Sequence, residues 1–127
     1  MTEGVICVSK DTSIIEAIRL MAARNVTGIP VVGDDMTLIG ILSEQDVMRL
    51  LHTFDQEKDR TVNELMTQPA IHFEEGACVV DICHFLKDHS IRRVPITRNG
   101  KVVGVISRSD IIKYILQRSE SGCVQTA

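Results

Sequence analysis

The sequence consists of two similar halves, and this internal repeat restricts the possible folds more than any other feature. Residues 27–32 (Thr-Gly-Ile-Pro-Val-Val) align with residues 92–97 (Arg-Arg-Val-Pro-Ile-Thr). After one extra residue in the first half, residues 40–46 (Gly-Ile-Leu-Ser-Glu-Gln-Asp) align with residues 104–110 (Gly-Val-Ile-Ser-Arg-Ser-Asp). Because the same motifs occur twice in the same order, the chain is a duplication of one supersecondary unit.

Each half has the pattern strand, helix, strand, strand, helix. In the first half, the apolar run at residues 6–8 predicts a short strand. Ser13 and Glu16 then form a capping box, and apolar residues at helical spacing predict a helix that ends near Asn25. The second half predicts a matching helix at about residues 79–89, where a cysteine stands at the capping position.

Both halves also predict a β-hairpin. Residues 29–32 and 37–42 are apolar runs rich in β-branched residues, and a Gly-Asp-Asp turn separates them. In the second half, the turn is Asn99-Gly100, which is the strongest short sequence signal for a hairpin. The central strands of each half are therefore expected to pair antiparallel.

These elements predict two motifs, at residues 1–52 and 62–118, joined by a polar linker at residues 53–61 and followed by a tail at residues 119–127. The second motif should open with a helical turn at residues 62–66. A single βαββα unit of this size cannot bury both faces of its sheet, whereas two stacked units can. We therefore predict an α+β fold in which two βαββα motifs pack through their sheets with pseudo-twofold symmetry.

Composition excludes several classes of partner. The net charge is −3 and the basic residues are scattered, so the positive field that attracts nucleic acid is missing. No stretch approaches the roughly 18 apolar residues of a membrane span, and the N-terminus lacks the pattern of a signal peptide. We predict a cytoplasmic protein that binds neither nucleic acid nor a membrane.

The cysteines and the known catalytic motifs point to no reaction. The four cysteines include no C-x-x-C pair, so free thiols and no metal site are predicted, with a redox or metal sensor as the alternative. The sequence contains no P-loop, G-x-S-x-G, H-E-x-x-H or G-x-G-x-x-G signature. We predict no catalytic residues and no cofactor.

The duplicated set of an h-P-h-h strand, a hairpin and a G-h-h-S-x-x-D helix start resembles a pair of cystathionine-β-synthase (CBS) domains, or Bateman module. The resemblance extends from about Val5 to Leu116. The linker signature of the family occurs before the second copy at residues 62–67 (Val-Asn-Glu-Leu-Met-Thr) but not before the first. This departure predicts a fragment or a minimal stand-alone member.

The resemblance implies a regulatory module with clefts between the copies for AMP, ADP, ATP or S-adenosylmethionine. In similar proteins the Asp of S-x-x-D accepts hydrogen bonds from the ribose hydroxyls, and the Ser lies near phosphate. Here these are Asp46 with Ser43, and Asp110 with Ser107. A carboxylate can bind a cis-diol through both oxygens, and a helix N-terminus attracts phosphate. The alternative is a plain capping box, which needs no ligand.

The resemblance also implies contacts that differ between the two clefts. Arg92 and Arg93 stand where similar proteins place basic residues that reach phosphate, whereas Thr27 and Gly28 occupy the matching positions. We therefore predict tighter binding in the cleft that contains Asp110. The other predicted contacts are Val94, Pro95, Ala70 and Ile71 in that cleft, and Val5, Cys7, Ile29 and Pro30 in the first. Each of these apolar residues could instead belong to the core.

Apolar helix surfaces predict a homodimer, because one sheet face cannot cover them all. The residues concerned are Ile14, Ile15, Ile18, Met21 and Ala22 in the first half, and Ile111, Ile112, Ile115 and Leu116 in the second. A separate partner protein would be the target of regulation. The alternative function is a protein-protein interaction module with vestigial clefts that bind no ligand.

Overall fold

The computed structural model describes residues 6–89 and 92–121, and its fold is α+β, as predicted. These residues form two compact units, and each unit contains one of the sequence repeats. The first unit covers residues 6–71, and the second comprises the described residues from His72 onward. Each unit contains one three-stranded sheet together with its helices.

The first unit has a sheet of order β1-β2-β3, in which β1 runs parallel and β3 antiparallel to β2. Its elements are β1 (Val8–Ser9), α1 (Ile14–Arg24), β2 (Gly28–Val32), β3 (Leu38–Ser43), α2 (Glu44–Met48), a 3₁₀ turn (Arg49–His52), α3 (Phe54–Glu57) and α4 (Val62–Leu65). The first strand was expected at residues 6–8. It begins later because Val8 and Ser9 are the residues that pair with β2.

Helix α1 begins and ends where local signals predicted. Ser13 Oγ accepts a hydrogen bond from Glu16 N at 3.2 Å, and Asn25 closes the helix with a left-handed φ of 54°. The Glu16 carboxylate does not return to the cap as a capping box requires, because it pairs with Arg19 Nη1 at 2.9 Å. The core of the unit consists of Val8, Ile14, Ala17, Met21, Ile29, Val31, Leu42, Leu50 and Val62.

The turn between β2 and β3 is longer than the predicted Gly-Asp-Asp turn. Gly33 N donates to Thr37 O at 2.8 Å, so the loop extends through Met36. Met36 has a φ of 69°, which non-glycine residues rarely adopt. The left-handed position of this hairpin is therefore taken by a methionine, not by the glycine of the predicted turn.

The segment between the repeats packs on the first unit. Val62 N donates to Thr12 O at 2.8 Å, and Asn63 N donates to Lys10 O at 3.0 Å. Val62 is fully buried in the core of this unit. The predicted helical turn is present as α4, but its contacts lie with the first repeat, although the sequence suggested that it opens the second motif.

The second unit repeats the same sheet, with β4 parallel and β6 antiparallel to β5. Its elements are β4 (Phe73–Glu74), α5 (Val79–Asp88), β5 (Arg93–Arg98), β6 (Lys101–Ser107) and α6 (Arg108–Ser121). Asn99 and Gly100 form the predicted turn, with φ values of 54° and 80°. Helix α6 continues to Ser121, three residues into the segment expected to be a tail.

Two polar contacts brace the second unit around its core. Arg98 Nη2 binds both carboxylate oxygens of Glu75, at 2.8 Å and 2.7 Å. Arg108 Nη2 donates to Leu86 O at 3.1 Å, near the C-terminus of α5. The core consists of Val79, Ile82, Leu86, Val94, Ile96, Ile106 and Ile111.

Within the described residues, none of the helices is both long enough and apolar enough to cross a membrane.

Candidate ligand-binding site

Both Ser-x-x-Asp motifs form the same hydrogen-bonded turn where a strand leads into a helix. Ser43 N donates to Asp46 Oδ2 at 2.8 Å, and Asp46 N donates to Ser43 Oγ at 3.3 Å. The corresponding distances between Ser107 and Asp110 are 2.8 Å and 3.2 Å. Each serine hydroxyl also lies within hydrogen-bond distance of the same carboxylate oxygen. The motif is therefore a reciprocal capping box in both repeats, and the cap uses Oδ2 of each carboxylate.

The two carboxylates have different surroundings. The side chain of Asp46 is 1% exposed, and Thr67 Oγ1 lies 2.9 Å from its Oδ1 and 3.1 Å from its Oδ2. Arg49 Nη1 lies 3.5 Å from Oδ1. Asp110 is only partly buried, and the contacts of its carboxylate within residues 6–89 and 92–121 are those of the Ser107 cap. Among these residues, Asp110 is the more accessible acceptor.

The glycine of the first G-h-h-S-x-x-D motif is required by a close approach of two backbone segments. Ile41 and Thr67 form an isolated antiparallel bridge, with N–O distances of 3.1 Å and 2.8 Å. A Cβ atom on Gly40 would lie 2.8 Å from both Met66 Sδ and Thr67 O. The glycine before the cap, which distinguishes the motif from an ordinary cap, thus has a structural reason in this unit.

Thr67 is the site residue that sequence reasoning missed. It stands in the linker signature, and no local pattern connects a threonine to a carboxylate 21 positions earlier. The glycine at position 40 is the sequence signal that could have indicated it, because a glycine within a strand often marks the close approach of another backbone segment. The structure adds this hydroxyl to the site of the first unit.

The residues before the h-P-h-h strands lie beside the helix starts. Glu44 N donates to Thr27 O at 2.8 Å, and Arg108 N donates to Arg92 O at 2.9 Å. Arg92 and Arg93 are both exposed at the start of β5. The second unit therefore brings two cations and the Asp110 carboxylate to one end of its sheet, whereas the first unit has Thr27 and the half-buried Gly28 at that position.

Four of the predicted ligand contacts have buried side chains. Ile29 and Val94 are each 1% exposed and belong to the core of their own unit. Pro30 and Pro95 are buried as well. These positions lie on the central strand of each sheet, where the side chains are buried, and their role as ligand contacts stays a prediction.

The other predicted apolar contacts differ in their exposure. Cys7 is half-buried, and burial raises the pKa of its thiol, which therefore stays neutral and apolar. Ala70 is half-buried and Ile71 is 46% exposed. Both residues follow Thr67, whose hydroxyl contacts Asp46, and their place in the Asp110 cleft stays a prediction. Val5 lies outside the described residues.

The described part of the chain brings no three His, Cys, Asp or Glu side chains together in a way that could hold a metal ion. Cys7, Cys78 and Cys83 are free thiols, and of these Cys78 is exposed. The geometry of the two units thus centres on capped carboxylates, a threonine hydroxyl and exposed arginines. These groups can bind hydroxyls and anions.

Comparison with known proteins identifies the family. The model of the CBS domain matches residues 1–53 and 62–117. The uncharacterized protein YlbB of Bacillus subtilis is 31% identical over 100 residues, which cover 78% of this chain and 68% of YlbB. The uncharacterized protein MJ1225 of Methanocaldococcus jannaschii is 32% identical over 116 residues, which are 91% of this chain and 41% of MJ1225. The chain thus spans less than half of that longer relative.

A solved structure supports the same assignment. The crystal structure of CBSX2 in complex with AMP superposes with a TM-score of 0.80 at 27% identity, and the match covers 94% of each chain. A second structure of CBSX2, from Arabidopsis thaliana, superposes with a TM-score of 0.83 at 26% identity. The two sequence repeats, the two βαββα units and the two matches of the family model agree, so the chain belongs to the CBS domain family as a tandem pair of CBS domains.

Proposed function

We propose that the chain is a regulatory module that binds an adenosine-containing ligand, namely AMP, ADP, ATP or S-adenosylmethionine. The observation that supports this most strongly is the accessible Asp110 carboxylate, held by its cap at the start of the 14-residue helix α6. The cap hydrogen-bonds to Oδ2 of Asp110. Oδ1 therefore remains available to accept hydrogen bonds from the ribose hydroxyls. The relative CBSX2 has the same fold and a structure with AMP.

The phosphate or other anionic group of the ligand would bind near the start of α6. A helix N-terminus presents free N–H groups and partial positive charge. The Arg92 carbonyl accepts a hydrogen bond from Arg108 N at the start of this helix, and Arg93 is the next residue along the chain. Since the first unit has neutral Thr27 and Gly28 there, and its carboxylate is buried, we propose that the site at Asp110 binds more tightly than the site at Asp46.

Calorimetric titration with AMP, ATP and S-adenosylmethionine tests this proposal. Asp110→Asn keeps the shape of the cap but removes the charge, and it should weaken the tighter binding event about tenfold or more, because hydrogen bonds to charged groups contribute roughly 1.5–3 kcal/mol. Asp81→Asn changes an exposed carboxylate in the first turn of α5 and is the matched control. It should bind like the parent.

Two results would contradict the proposal. If Asp46→Asn abolishes the tighter event while Asp110→Asn leaves it intact, the ranking of the sites is wrong. If the parent binds none of the three ligands, the function is protein-protein interaction with vestigial clefts instead. The thermal unfolding temperature measured with each ligand provides a second readout, because a ligand that binds only the folded state raises it.

We further propose that the chain catalyses no reaction and needs no cofactor, and that it acts on a partner protein in the cytoplasm. What supports this is that the site groups are carboxylates, hydroxyls and arginines suited to binding, and that Asp46 and Asp110 are engaged as helix caps. Homodimer formation through the exposed apolar side chains of α6 also belongs to this proposal.

A further inference from the structure

The Thr67 hydroxyl occupies the place at Asp46 where a ligand hydroxyl would bind. Its Oγ1 atom lies 2.9 Å from Oδ1 and 3.1 Å from Oδ2, so one hydroxyl spans both oxygens of the carboxylate. The two residues are 21 positions apart, and the contact is therefore tertiary and no part of the helix cap. In its geometry the threonine imitates one half of a ribose diol.

Asp46 has little capacity left for a second hydroxyl. Its Oδ2 already accepts hydrogen bonds from Ser43 N at 2.8 Å and Ser43 Oγ at 2.9 Å. Arg49 Nη1 approaches Oδ1 at 3.5 Å. A carboxylate offers about four acceptor positions, and the side chain is 1% exposed. A diol can therefore reach both oxygens only after the Thr67 hydroxyl has moved away.

We propose that Thr67 is an internal competitor at Asp46, so that a ligand diol binds this carboxylate only by displacing the threonine hydroxyl. This inference rests on the proposed function, because it concerns the same class of ligand. It identifies Thr67 as the residue that sets the affinity of the first site. It also means that ligand binding at that site should change the structure of the segment that connects the repeats.

The segment would respond because the same residue holds its backbone on β3. Thr67 N donates to Ile41 O at 2.8 Å, and Ile41 N donates to Thr67 O at 3.1 Å. Met66 packs directly against Gly40. Displacement of the hydroxyl removes the side-chain contact that supports this two-residue bridge. A bound ligand should therefore loosen the bridge, whereas ligands usually protect the backbone near their site.

The affinity test uses Asp110→Asn as the background, so that binding at Asp110 is weakened and binding at Asp46 contributes more to the titration. In that background, calorimetric titration with AMP should show about tenfold tighter binding for Thr67→Val than for Thr67, because the competing hydrogen bond to a charged group is removed. Thr61→Val is the matched control. Thr61 lies in the same segment, but its hydroxyl contacts Glu64 and not Asp46. Its removal should leave the affinity unchanged.

The second test measures amide hydrogen exchange at Ile41 and at residue 67 in the full chain. In the ligand-free protein, Thr67→Val should speed exchange at both amides several-fold, and Thr61→Val should not. AMP should likewise speed exchange at these amides in the parent. Slower exchange on addition of AMP would overturn the inference, as would unchanged exchange in Thr67→Val.

The outcomes separate this inference from the proposed function. If the parent binds AMP but Thr67→Val binds no tighter at Asp46, or if neither protein binds in the Asp110→Asn background, the competitor role is wrong and the proposed function stands. If the parent binds no adenosine ligand at either site, the proposed function fails. In that case the proposed competition between Thr67 and a ligand is wrong as well. The amide exchange of the ligand-free parent and Thr67→Val then tests only whether the Thr67 hydroxyl supports the bridge to Ile41.

Discussion

Burial of the Asp46 carboxylate is costly, and its hydrogen bonds offset that cost. An ionised group transferred from water is strongly destabilising unless it is hydrogen-bonded or paired. Ser43 supplies an amide and a hydroxyl, and Thr67 supplies a second hydroxyl. Asp110, with the same cap, stays partly exposed. One motif thus anchors a chain segment in the first unit and presents an accessible acceptor in the second.

Thr97 is a buried polar residue at a position where the other repeat has an apolar one. It is 0% exposed, and its Oγ1 has no hydrogen-bond partner among the residues that the structure describes. The aligned residue of the first repeat is Val32, which is 5% exposed. We expect Thr97→Val to raise the free energy of unfolding by about 1 kcal/mol, because a buried hydroxyl without a partner costs roughly that much.

Urea unfolding of the parent and the variant measures this difference. The reverse change, Val32→Thr, is the control and should lower the free energy of unfolding by a similar amount, since it places a hydroxyl in the equivalent core position. A lower unfolding midpoint for Thr97→Val with an unchanged slope would contradict the prediction and indicate that the hydroxyl is satisfied.

At the scale of elements, the two hairpins share their irregularity but differ in their turns. The register shifts between Val31 and Val32 in the first sheet and at the aligned position in the second, between Ile96 and Thr97. Such bulges add local twist to a strand. The turns differ because one uses Asn99-Gly100 and the other a longer loop. The bulge is thus a property of the repeated unit, and the turn is not.

The contact between β3 and the segment after α4 depends on Gly40. An alanine there would place its Cβ 2.8 Å from Thr67 O, which is backbone and cannot rotate away. We expect Gly40→Ala to lower the free energy of unfolding by about 1–3 kcal/mol, the range of overpacking in a filled site. The measurement is urea unfolding, with amide exchange at Ile41 as a local probe of the displaced segment.

Gly28 provides the matched control in the neighbouring strand. A Cβ at this position would lie 3.7 Å from Leu42 O and 3.9 Å from Ile41 Cγ2, which are ordinary contacts. Gly28→Ala should therefore change the stability little. If Gly40→Ala costs no more than Gly28→Ala, the close approach of the two backbone segments does not constrain this position.

At the scale of the whole molecule, the homodimer prediction depends on the apolar side chains that each unit exposes. Ile112, Ile115 and Leu116 of α6 are 62%, 55% and 65% exposed. The aligned region of the first repeat exposes Met48 and Leu51, at 67% and 78%. Helix α1 contributes less than expected, because it buries Ile14, Ala17 and Met21 in its own core. The homodimer stays a prediction, and in the second unit its surface would centre on α6.

We expect Ile112→Glu combined with Ile115→Glu to convert a homodimer into a monomer at micromolar concentration. Each substitution would place a charge in the apolar contact, and burying a charge without a partner is strongly unfavourable. Light scattering of the parent and the variant measures the mass. Lys113→Glu introduces a charge change on an exposed position of the same helix and should leave the dimer intact. A monomeric parent would exclude the homodimer.

Most elements of the fold could be predicted from the sequence, whereas the surroundings of the site could not. The repeat indicated two βαββα units, and the Ser13 cap, the Asn25 end of α1 and the Asn99-Gly100 turn appear where local patterns placed them. The capping geometry of the Ser-x-x-Asp pairs, considered as the alternative to ligand binding, is present in both repeats, and the role of Asp46 and Asp110 in ligand binding stays a prediction. The adenine contacts at Ile29 and Val94 stay predictions, because an apolar strand residue has the same sequence signature whether it lines the core or a pocket, and both side chains are 1% exposed.

The sequence by itself determined the local structure of this protein, since caps, turns and helical periodicity act between residues no more than about four positions apart. Only the tertiary structure decided that α4 packs on the first repeat and that Thr67 covers Asp46. Those contacts join residues far apart in the chain, and in the case of Thr67 the separation is 21 positions. Such contacts depend on which segments the packed core brings together, and a short sequence motif contains no information about distant segments.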